Sequence, residues 1–183
     1  MVRGLLWILA ATLLGGIVHL STVLAMPRAA KQDAYSRLAS LTPVNTMVPL
    51  AQPQTGAEIM PFMDPAFATA VCRYDLTGGS LKLTAPVSQA YTSVTFYTRR
   101  SVAYYAINDR AAGRRTIELD LMTAAQHAQV PEDEEVTAAD RLIIESPTTM
   151  GLIVLRALAP EPGLMSMARR TLAAATCGIQ AAQ

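Results

Sequence analysis

The sequence has few of the residues on which catalysis and metal binding usually depend. Its 183 residues include only two histidines, His19 and His127, and only two cysteines, Cys72 and Cys177. There is no Gly-x-Ser-x-Gly, His-Glu-x-x-His or Cys-x-x-Cys motif and no glycine-rich phosphate loop. Because a metal site needs several clustered His, Cys or carboxylate ligands, we expect neither a metal nor a cofactor. The sequence leaves enzymatic activity uncertain and argues more against it than for it.

An excess of charge of one sign is also lacking. Arg3 is the only charged side chain before residue 27, so 14 of the 15 Lys and Arg residues balance the 14 Asp and Glu residues in the remainder. A nucleic-acid-binding domain should show a basic face, and we therefore expect no nucleic-acid partner. The hydrophobic fraction of 51% excludes a chain that is disordered throughout.

One long hydrophobic run is present near the N-terminus. Residues 4–26 carry no charge and would form a helix of about 34 Å, enough to cross a hydrocarbon core of about 30 Å. The run predicts a transmembrane anchor over residues 1–27, with the lipid bilayer as its partner. The alternatives are a secretory signal peptide cleaved after Ala25, where Val23 and Ala25 fit the cleavage pattern, and a buried helix of a soluble protein.

The orientation of this anchor follows from two signals that disagree. Arg3 precedes the span, whereas Arg28, Lys31 and Arg37 follow it, so the positive-inside rule alone favours a cytoplasmic C-terminal domain. The even number of cysteines favours an oxidising compartment. We give the cysteines more weight and predict a single-pass protein of the bacterial inner membrane, with its C-terminal domain in the periplasm.

Polar and small residues within the span suggest two roles. We interpret His19 as a neutral imidazole rather than a proton relay, because the span has no second ionisable residue. Ala11, Gly15 and Gly16 lie on one helical face and would allow close helix pairing, although a span rich in Ala and Gly often has such a face by chance.

The segment after the span is expected to link the anchor to a folded domain. Residues 28–41 place Ala34, Tyr35 and Leu38 on one face of a short amphipathic helix beside the membrane. Residues 42–61 contain four prolines and predict an extended linker along the domain surface. Residues 28–60 thus form a juxtamembrane helix and linker, and residues 61–183 form a β-rich domain.

Short alternating apolar segments dominate this last domain. Asp64-Pro65 is typical of a helix start of one or two turns, and residues 164–177 have the apolar stripe of a closing amphipathic helix. Between them we predict seven strands, over residues 70–76, 80–85, 91–98, 102–107, 114–121, 141–146 and 152–158. The fold class is therefore mostly β (α+β): a transmembrane helix followed by an antiparallel β-sandwich-like domain that a C-terminal helix closes.

An acidic run, residues 132–135, interrupts the strand pattern near His127. Consecutive carboxylates without the spacing of a calcium loop are usually a solvated loop, and a cation site is the weaker interpretation.

The two cysteines are far apart in sequence. Outside the cytoplasm they predict one disulfide between Cys72, in an early strand, and Cys177, in the terminal helix. The alternative is two unrelated buried thiols.

Aromatic and basic residues provide the only candidate ligand groove. Five tyrosines fall on two adjoining strands and a predicted neighbour, where they would line a groove or, more often, pack within the sheet. The groove hypothesis uses Tyr91, Tyr97, Tyr104, Arg99, Arg100 and Asp109. A hydrolase or small-ligand enzyme built on these residues is the alternative to a binding or structural protein, but the set lacks a base and a nucleophile.

Several strands together resemble the bacterial family called domain of unknown function 1254. The run AVCRYDLTGGSLKLTAP, followed by YTSVTFYT, is similar to its opening strands, and ESPTTMGLIVLRAL to a later one. In the later stretch Ser146, Pro147, Thr148 and Arg156 match the family pattern of Pro-Thr before an apolar strand that ends near an Arg.

The resemblance covers residues 61–158 and implies a mostly β domain of uncharacterised function, with no catalytic residues to carry over. Longer members continue into a second domain of unknown function, numbered 1214, which this chain is too short to hold. A separate anchored protein of the 1214 type is therefore a predicted partner. The chain departs from the family in its N-terminal span and in having Asp64-Pro65 where longer members have Asn-x-Asp-Thr.

Overall fold

A computed structural model describes residues 2–29, 33–54, 56, 59–61, 63–113, 115–130 and 142–180. The chain divides into two compact units, Met1–Asp33 and Ala34–Gln183. The acidic run at residues 132–135 and the residues Arg114 and Arg141 lie outside the described residues. The predicted domain boundaries after residues 27 and 60 stay a prediction.

The first unit is a single helix. Helix α1 spans Val2–Ala29, and its segment Val2–Met26 is long and apolar enough to cross a membrane, as a signal sequence also would be. Most of its large apolar side chains, including Trp7 and Leu13, are more than half exposed. Such a surface is stable only when something apolar covers it, which fits the predicted bilayer-spanning segment.

The second unit contains two β-sheets and short helices. Its helices are α2 (Ala34–Leu38), α3 (Asp109–Ala112), α4 (Ala124–His127) and α5 (Met165–Ala173). Its strands are β1 (Met47–Pro49), β2 (Phe67–Asp75), β3 (Leu81–Pro86), β4 (Thr92–Thr98), β5 (Ala103–Asn108), β6 (Thr116–Thr123), β7 (Leu142–Ser146), β8 (Met150–Leu158) and β9 (Thr176–Ile179). The predicted mostly β fold, with an N-terminal apolar helix and a helix near the C-terminus, is confirmed.

The strands form a five-stranded sheet of order β1-β2-β8-β4-β5 and a four-stranded sheet of order β7-β6-β3-β9. All neighbouring strands are antiparallel except β6 and β7, which are parallel. Parallel neighbours need a crossover connection of about a dozen residues or more, and residues 124–141 provide it. The prediction of a purely antiparallel sandwich is therefore corrected at this one pair.

The main core lies between the two sheets. Inward-facing residues alternate along each strand, as Ala70, Cys72 and Tyr74 do in β2 and Leu81 and Leu83 do in β3. Cys72 in the five-stranded sheet and Cys177 in the four-stranded sheet form a disulfide, with their Cα atoms 6.5 Å apart. The bridge therefore crosses the core and joins the sheets.

A second, smaller core covers the outer face of the five-stranded sheet. Tyr35 and Leu38 of α2, at i, i+3 spacing, pack with Leu50 on Val71 and Leu152. Met60 and Met63 pack against the same cluster. The described residues between α2 and β2, among them Leu50, Met60 and Met63, therefore contribute to a covering layer of the β domain.

Four local predictions differ from the structure. Among the described residues of 28–41, where one helix was expected, residues 28 and 29 end α1 and Ala34–Leu38 form the separate short helix α2, which a turn follows. Asp64-Pro65 does not start a helix, because Phe67 already belongs to β2. The terminal helix ends at Ala173, so Cys177 lies on β9 and not on a helix. The proline-rich segment contributes the edge strand β1 instead of extended linker alone.

Candidate functional site

A cavity of about 260 Å³ lies on the outer face of the five-stranded sheet, beneath its covering layer. Its lining combines residues from α2, from the segment before β2, from β2, from the end of β4 and from β8. The lining residues are Ala34, Leu38, Met60, Met63, Asp64, Phe67, Thr69, Tyr97, Ser101, Leu152, Val154 and Arg156.

Strand periodicity explains why these side chains share one face. In β8, Ile153 and Leu155 point into the main core, so Leu152, Val154 and Arg156 point to the opposite face. In β2 the same alternation places Phe67 and Thr69 beside them. The floor of the cavity is thus formed by the side chains of β2 and β8 that face away from the main core. The alternate side chains of the same strands face into the core.

The cavity wall at α2 is fixed by two arginines. The guanidinium carbons of Arg73 and Arg99 lie 5.0 Å and 4.2 Å from the centroid of the Tyr35 ring. Arg73 Nε also donates to the carbonyl oxygen and the Oγ1 atom of Thr42, each at 3.0 Å, and Arg99 Nη2 donates to Ser36 Oγ at 3.3 Å. These cation–π and hydrogen-bond contacts hold α2 against the sheet.

A polar network is buried between the two sheets. The Tyr74 hydroxyl lies 2.9 Å from Ser146 Oγ, 3.1 Å from the Tyr104 hydroxyl and 3.3 Å from the carbonyl oxygen of Tyr97. Ser146 Oγ in turn donates to the carbonyl oxygen of Thr148 at 2.6 Å. Tyr74 is fully buried. Since each of these hydroxyls has a protein partner, the arrangement stabilises the sheet junction.

Burial gives this network a dependence on pH. Burial is the largest cause that raises the pKa of the Tyr104 phenol, and the contact with Tyr74 raises it further. The phenol in the unfolded chain loses its proton near pH 10. Because the folded-state pKa is higher, the stability that this group contributes is intact below about pH 10 and is lost as the pH rises toward the folded-state value.

We therefore expect Tyr104→Phe to reduce the alkaline loss of stability. The midpoint of thermal unfolding of the wild type should fall more steeply above about pH 10 than that of the variant. Tyr105→Phe is the matched control, because its neighbouring ring is partly exposed and lies outside the network. Equal slopes for the wild type and Tyr104→Phe would contradict the assignment.

The six residues of the predicted groove lie in separate places. Tyr97 lines the cavity, Arg99 stacks on Tyr35, and Tyr104 belongs to the buried network. Tyr91 makes an edge contact with Phe67, at 6.5 Å between ring centroids. Their role in ligand binding stays a prediction.

The other two predicted groove residues mark the ends of the β4–β5 hairpin. Arg100 is exposed in the β4–β5 turn, and the backbone N–H of Thr92 donates to Asp109 Oδ1 at the opposite end. At about 3.4 Å per residue these ends are about 20 Å apart. Of the six residues, Tyr97 is the one that lines the cavity on the outer face of the five-stranded sheet.

Potential metal ligands are dispersed over the residues that the structure describes. Within that part of the chain, no group of three His, Cys, Asp or Glu side chains could hold a metal ion. His127 Nδ1 lies 2.6 Å from Glu145 Oε1, and both side chains are about half exposed.

Sequence patterns alone missed most of the cavity. Leu38, Met60, Met63 and Leu152 read as ordinary apolar residues, and Arg156 stood out only through the family pattern. One local feature of the sequence points to the cavity. The side chains of β8 that face away from the main core include Leu152 and Val154, which are apolar, whereas a face in contact with solvent would be polar.

Comparisons with known proteins support the fold. Residues 44–177 match the sequence model of a family described as "Protein of unknown function (DUF1254)". The VPA0106 protein from Vibrio parahaemolyticus is similar in structure, with a TM-score of 0.58 and 11% sequence identity, over 82% of this chain and 37% of that chain. A putative uncharacterized protein from Burkholderia cenocepacia has a TM-score of 0.45 and 12% identity, over 63% and 32% of the two chains. No curated protein sequence matches this chain significantly.

The sequence identity and the coverage determine what these structural similarities show. At 11% identity the likeness to the Vibrio protein shows the fold alone. This chain also spans only about a third of the length of each of these solved structures.

Proposed function

The chain belongs to the DUF1254 family, and from this premise we propose that it is a membrane-anchored protein of the bacterial cell envelope whose exported β domain binds a small ligand. The observation that carries the binding role is the cavity of about 260 Å³ on the outer face of the five-stranded sheet. Apolar cavities with a few polar groups at their rim are the usual form of small-molecule sites. The described residues offer no paired nucleophile and base beside it, and no specific observation favours the enzymatic alternative.

The proposed location rests on α1 and on the cysteine pair. An apolar helix over Val2–Met26 supports anchoring in the inner membrane, and a cysteine pair at bonding distance supports an oxidising compartment such as the periplasm. The lipid bilayer is then the partner of α1, and the β domain faces the periplasm.

Fusion of a reporter to the C-terminus tests the location. We expect an alkaline phosphatase fusion to be active and a cytoplasmic fluorescent reporter at the same position to be inactive. Mass spectrometry of the membrane fraction should recover α1 on the mature chain. An active cytoplasmic reporter with an inactive phosphatase would reverse the proposed orientation, and a mature chain that begins at Met26 would replace the anchor by a cleaved signal peptide.

We also propose a companion anchored protein of the 1214 type. The Vibrio protein whose fold this chain shares continues beyond the matched part, and β5 and β7 are edge strands to which a second chain could add. Two anchored proteins share a membrane surface, which raises their effective concentration. Cross-linking of the tagged, membrane-bound chain should recover this companion protein. Recovery of the monomer alone would contradict the proposed partner.

A further inference from the structure

The shape and lining of the cavity restrict what can bind in it. Leu38, Leu152 and Val154 are buried at its floor and wall, and Met60 and Met63 add flexible thioether side chains that adapt to an apolar guest. A water molecule occupies about 30 Å³ of liquid, and a methylene group is of similar size. The cavity of about 260 Å³ therefore has room for one short apolar chain.

The polar side chains that line the same cavity are one arginine, one carboxylate and three hydroxyls. Arg156 is exposed, and among the described residues no carboxylate pairs with its guanidinium group. Thr69, Tyr97 and Ser101 also line the cavity, and each has a hydroxyl that can donate a hydrogen bond to a ligand. A guanidinium group with three hydroxyls matches an anionic headgroup in charge and in donor number.

One carboxylate, Asp64, also lines the cavity and is exposed. Its Oδ1 atom accepts a hydrogen bond from the backbone N–H of Ala66 at 2.9 Å, so the turn before β2 already uses it. A cationic headgroup at this rim would face the unpaired Arg156 charge. The backbone already engages Asp64, whereas no carboxylate among the described residues pairs with Arg156, so Arg156 is the charged group at the rim that is left for a headgroup of opposite charge.

We propose that the cavity binds an amphiphile with one short apolar chain and an anionic headgroup, with the chain among Leu38, Met60, Met63 and Val154 and the headgroup on Arg156. This inference rests on the proposed binding function and specifies its ligand class. Carboxylate and phosphate headgroups share the required chemistry, and the test below separates them.

Photolabelling of the full chain in lipid nanodiscs tests the proposal. The probe is decanoate that carries an aliphatic diazirine on its chain, and labelled tryptic peptides are identified by mass spectrometry. We expect label in the peptides of residues 38–73 and 142–156, which contain the cavity residues. Unlabelled decanoate and decyl phosphate are used as competitors, and the stronger of the two identifies the preferred headgroup.

Three variants test where the apolar chain and the headgroup of the ligand bind. Arg156→Gln should weaken competition by decanoate by about tenfold, which is the typical loss for one charge-assisted hydrogen bond. Val154→Phe should fill the cavity and abolish its labelling. Arg110→Gln removes an exposed arginine outside the cavity and should change nothing, and thermal unfolding verifies that each variant is folded.

The outcomes separate this inference from the proposed function. Cavity labelling by a diazirine analogue of decylamine or decanol, but not of decanoate, would overturn the anionic assignment and leave the binding function intact. Labelling confined to residues 4–28 with all three probes would indicate partition into the bilayer and would overturn both. Labelling unchanged in Val154→Phe would place the ligand elsewhere and overturn the inference.

Discussion

Replacement of both Cys72 and Cys177 by alanine is expected to lower the free energy of unfolding by about 4.7 kcal/mol. The two residues are 105 positions apart, so the bridge closes almost the whole β domain into one loop and restricts the unfolded chain. It also joins β2 to β9 across the core, where both side chains are buried. The loss should appear in urea unfolding of the detergent-solubilised chain, followed by the β-sheet signal in circular dichroism.

Reduction provides the matched control for this prediction. Dithiothreitol should destabilise the wild type by about the same amount and leave the double-alanine variant unchanged. The wild type isolated from the membrane under non-reducing conditions should show no free thiol by mass spectrometry. Free thiols at both cysteines, or a loss below about 1 kcal/mol in the variant, would contradict the structural role of the bridge.

The seven predicted strands correspond to β2–β8, and some of them show clear alternation in the sequence. Leu81 and Leu83 alternate with Lys82 and Thr84, and the same pattern places β3 with one face in the core. The hairpin of β4 and β5 was equally visible, because two aromatic and β-branched runs flank a short turn at Arg99–Ser101. Local pattern and final burial agree in these segments.

Segments whose conformation depends on distant partners were missed. Strand β9 is only four residues long and exists because it pairs with β3, about 95 positions earlier in the chain. Strand β1 contains Pro49, which argues against a central strand but is tolerated at an edge. Asp64 makes the hydrogen bond expected of a helix cap, yet the pairing of β2 with β8 makes the following residues a strand.

The cavity could not be predicted from any local motif. Its residues come from segments more than a hundred positions apart, and their common feature is that they face away from the main core. Residues 42–63 have no periodic pattern in the sequence. The sequence therefore does not indicate which face of the five-stranded sheet is covered. The buried Tyr74, Tyr104 and Ser146 network was hidden for the same reason, because these residues belong to three strands and two sheets.

A second large effect is expected at Gly151, where β8 passes between β2 and β4. Gly151 is paired with Tyr74 on one side and Thr98 on the other. A Cβ atom at this position would overlap the backbone carbonyl oxygen of Tyr97 and the hydroxyl and ring of Tyr74. The backbone of β4 is held by its pairing with β8, and the Tyr74 hydroxyl is held by its hydrogen bonds, so neither can easily give way.

We therefore expect Gly151→Ala to lower the free energy of unfolding by about 3 kcal/mol or more, from overpacking together with loss of a buried hydrogen bond. Gly178→Ala is the matched control, because Gly178 also lies in a strand and no heavy atom lies within 4 Å of its added Cβ. That control should stay within about 0.5 kcal/mol of the wild type. Urea unfolding measures both variants.

Tyr74→Phe separates the two contacts at Gly151. It removes the hydroxyl that the new methyl group would meet but leaves the ring at position 74 and the carbonyl oxygen of Tyr97 in place. Gly151→Ala should therefore cost less in a Tyr74→Phe background than in the wild type and still remain destabilising. The coupling between the two changes should lie in the range of about 0.5 to 3 kcal/mol found for contacting residues. Additive effects would mean that the methyl group does not meet the Tyr74 hydroxyl, and a Gly151→Ala chain as stable as the wild type would contradict the close approach of β4 and β8 at this position.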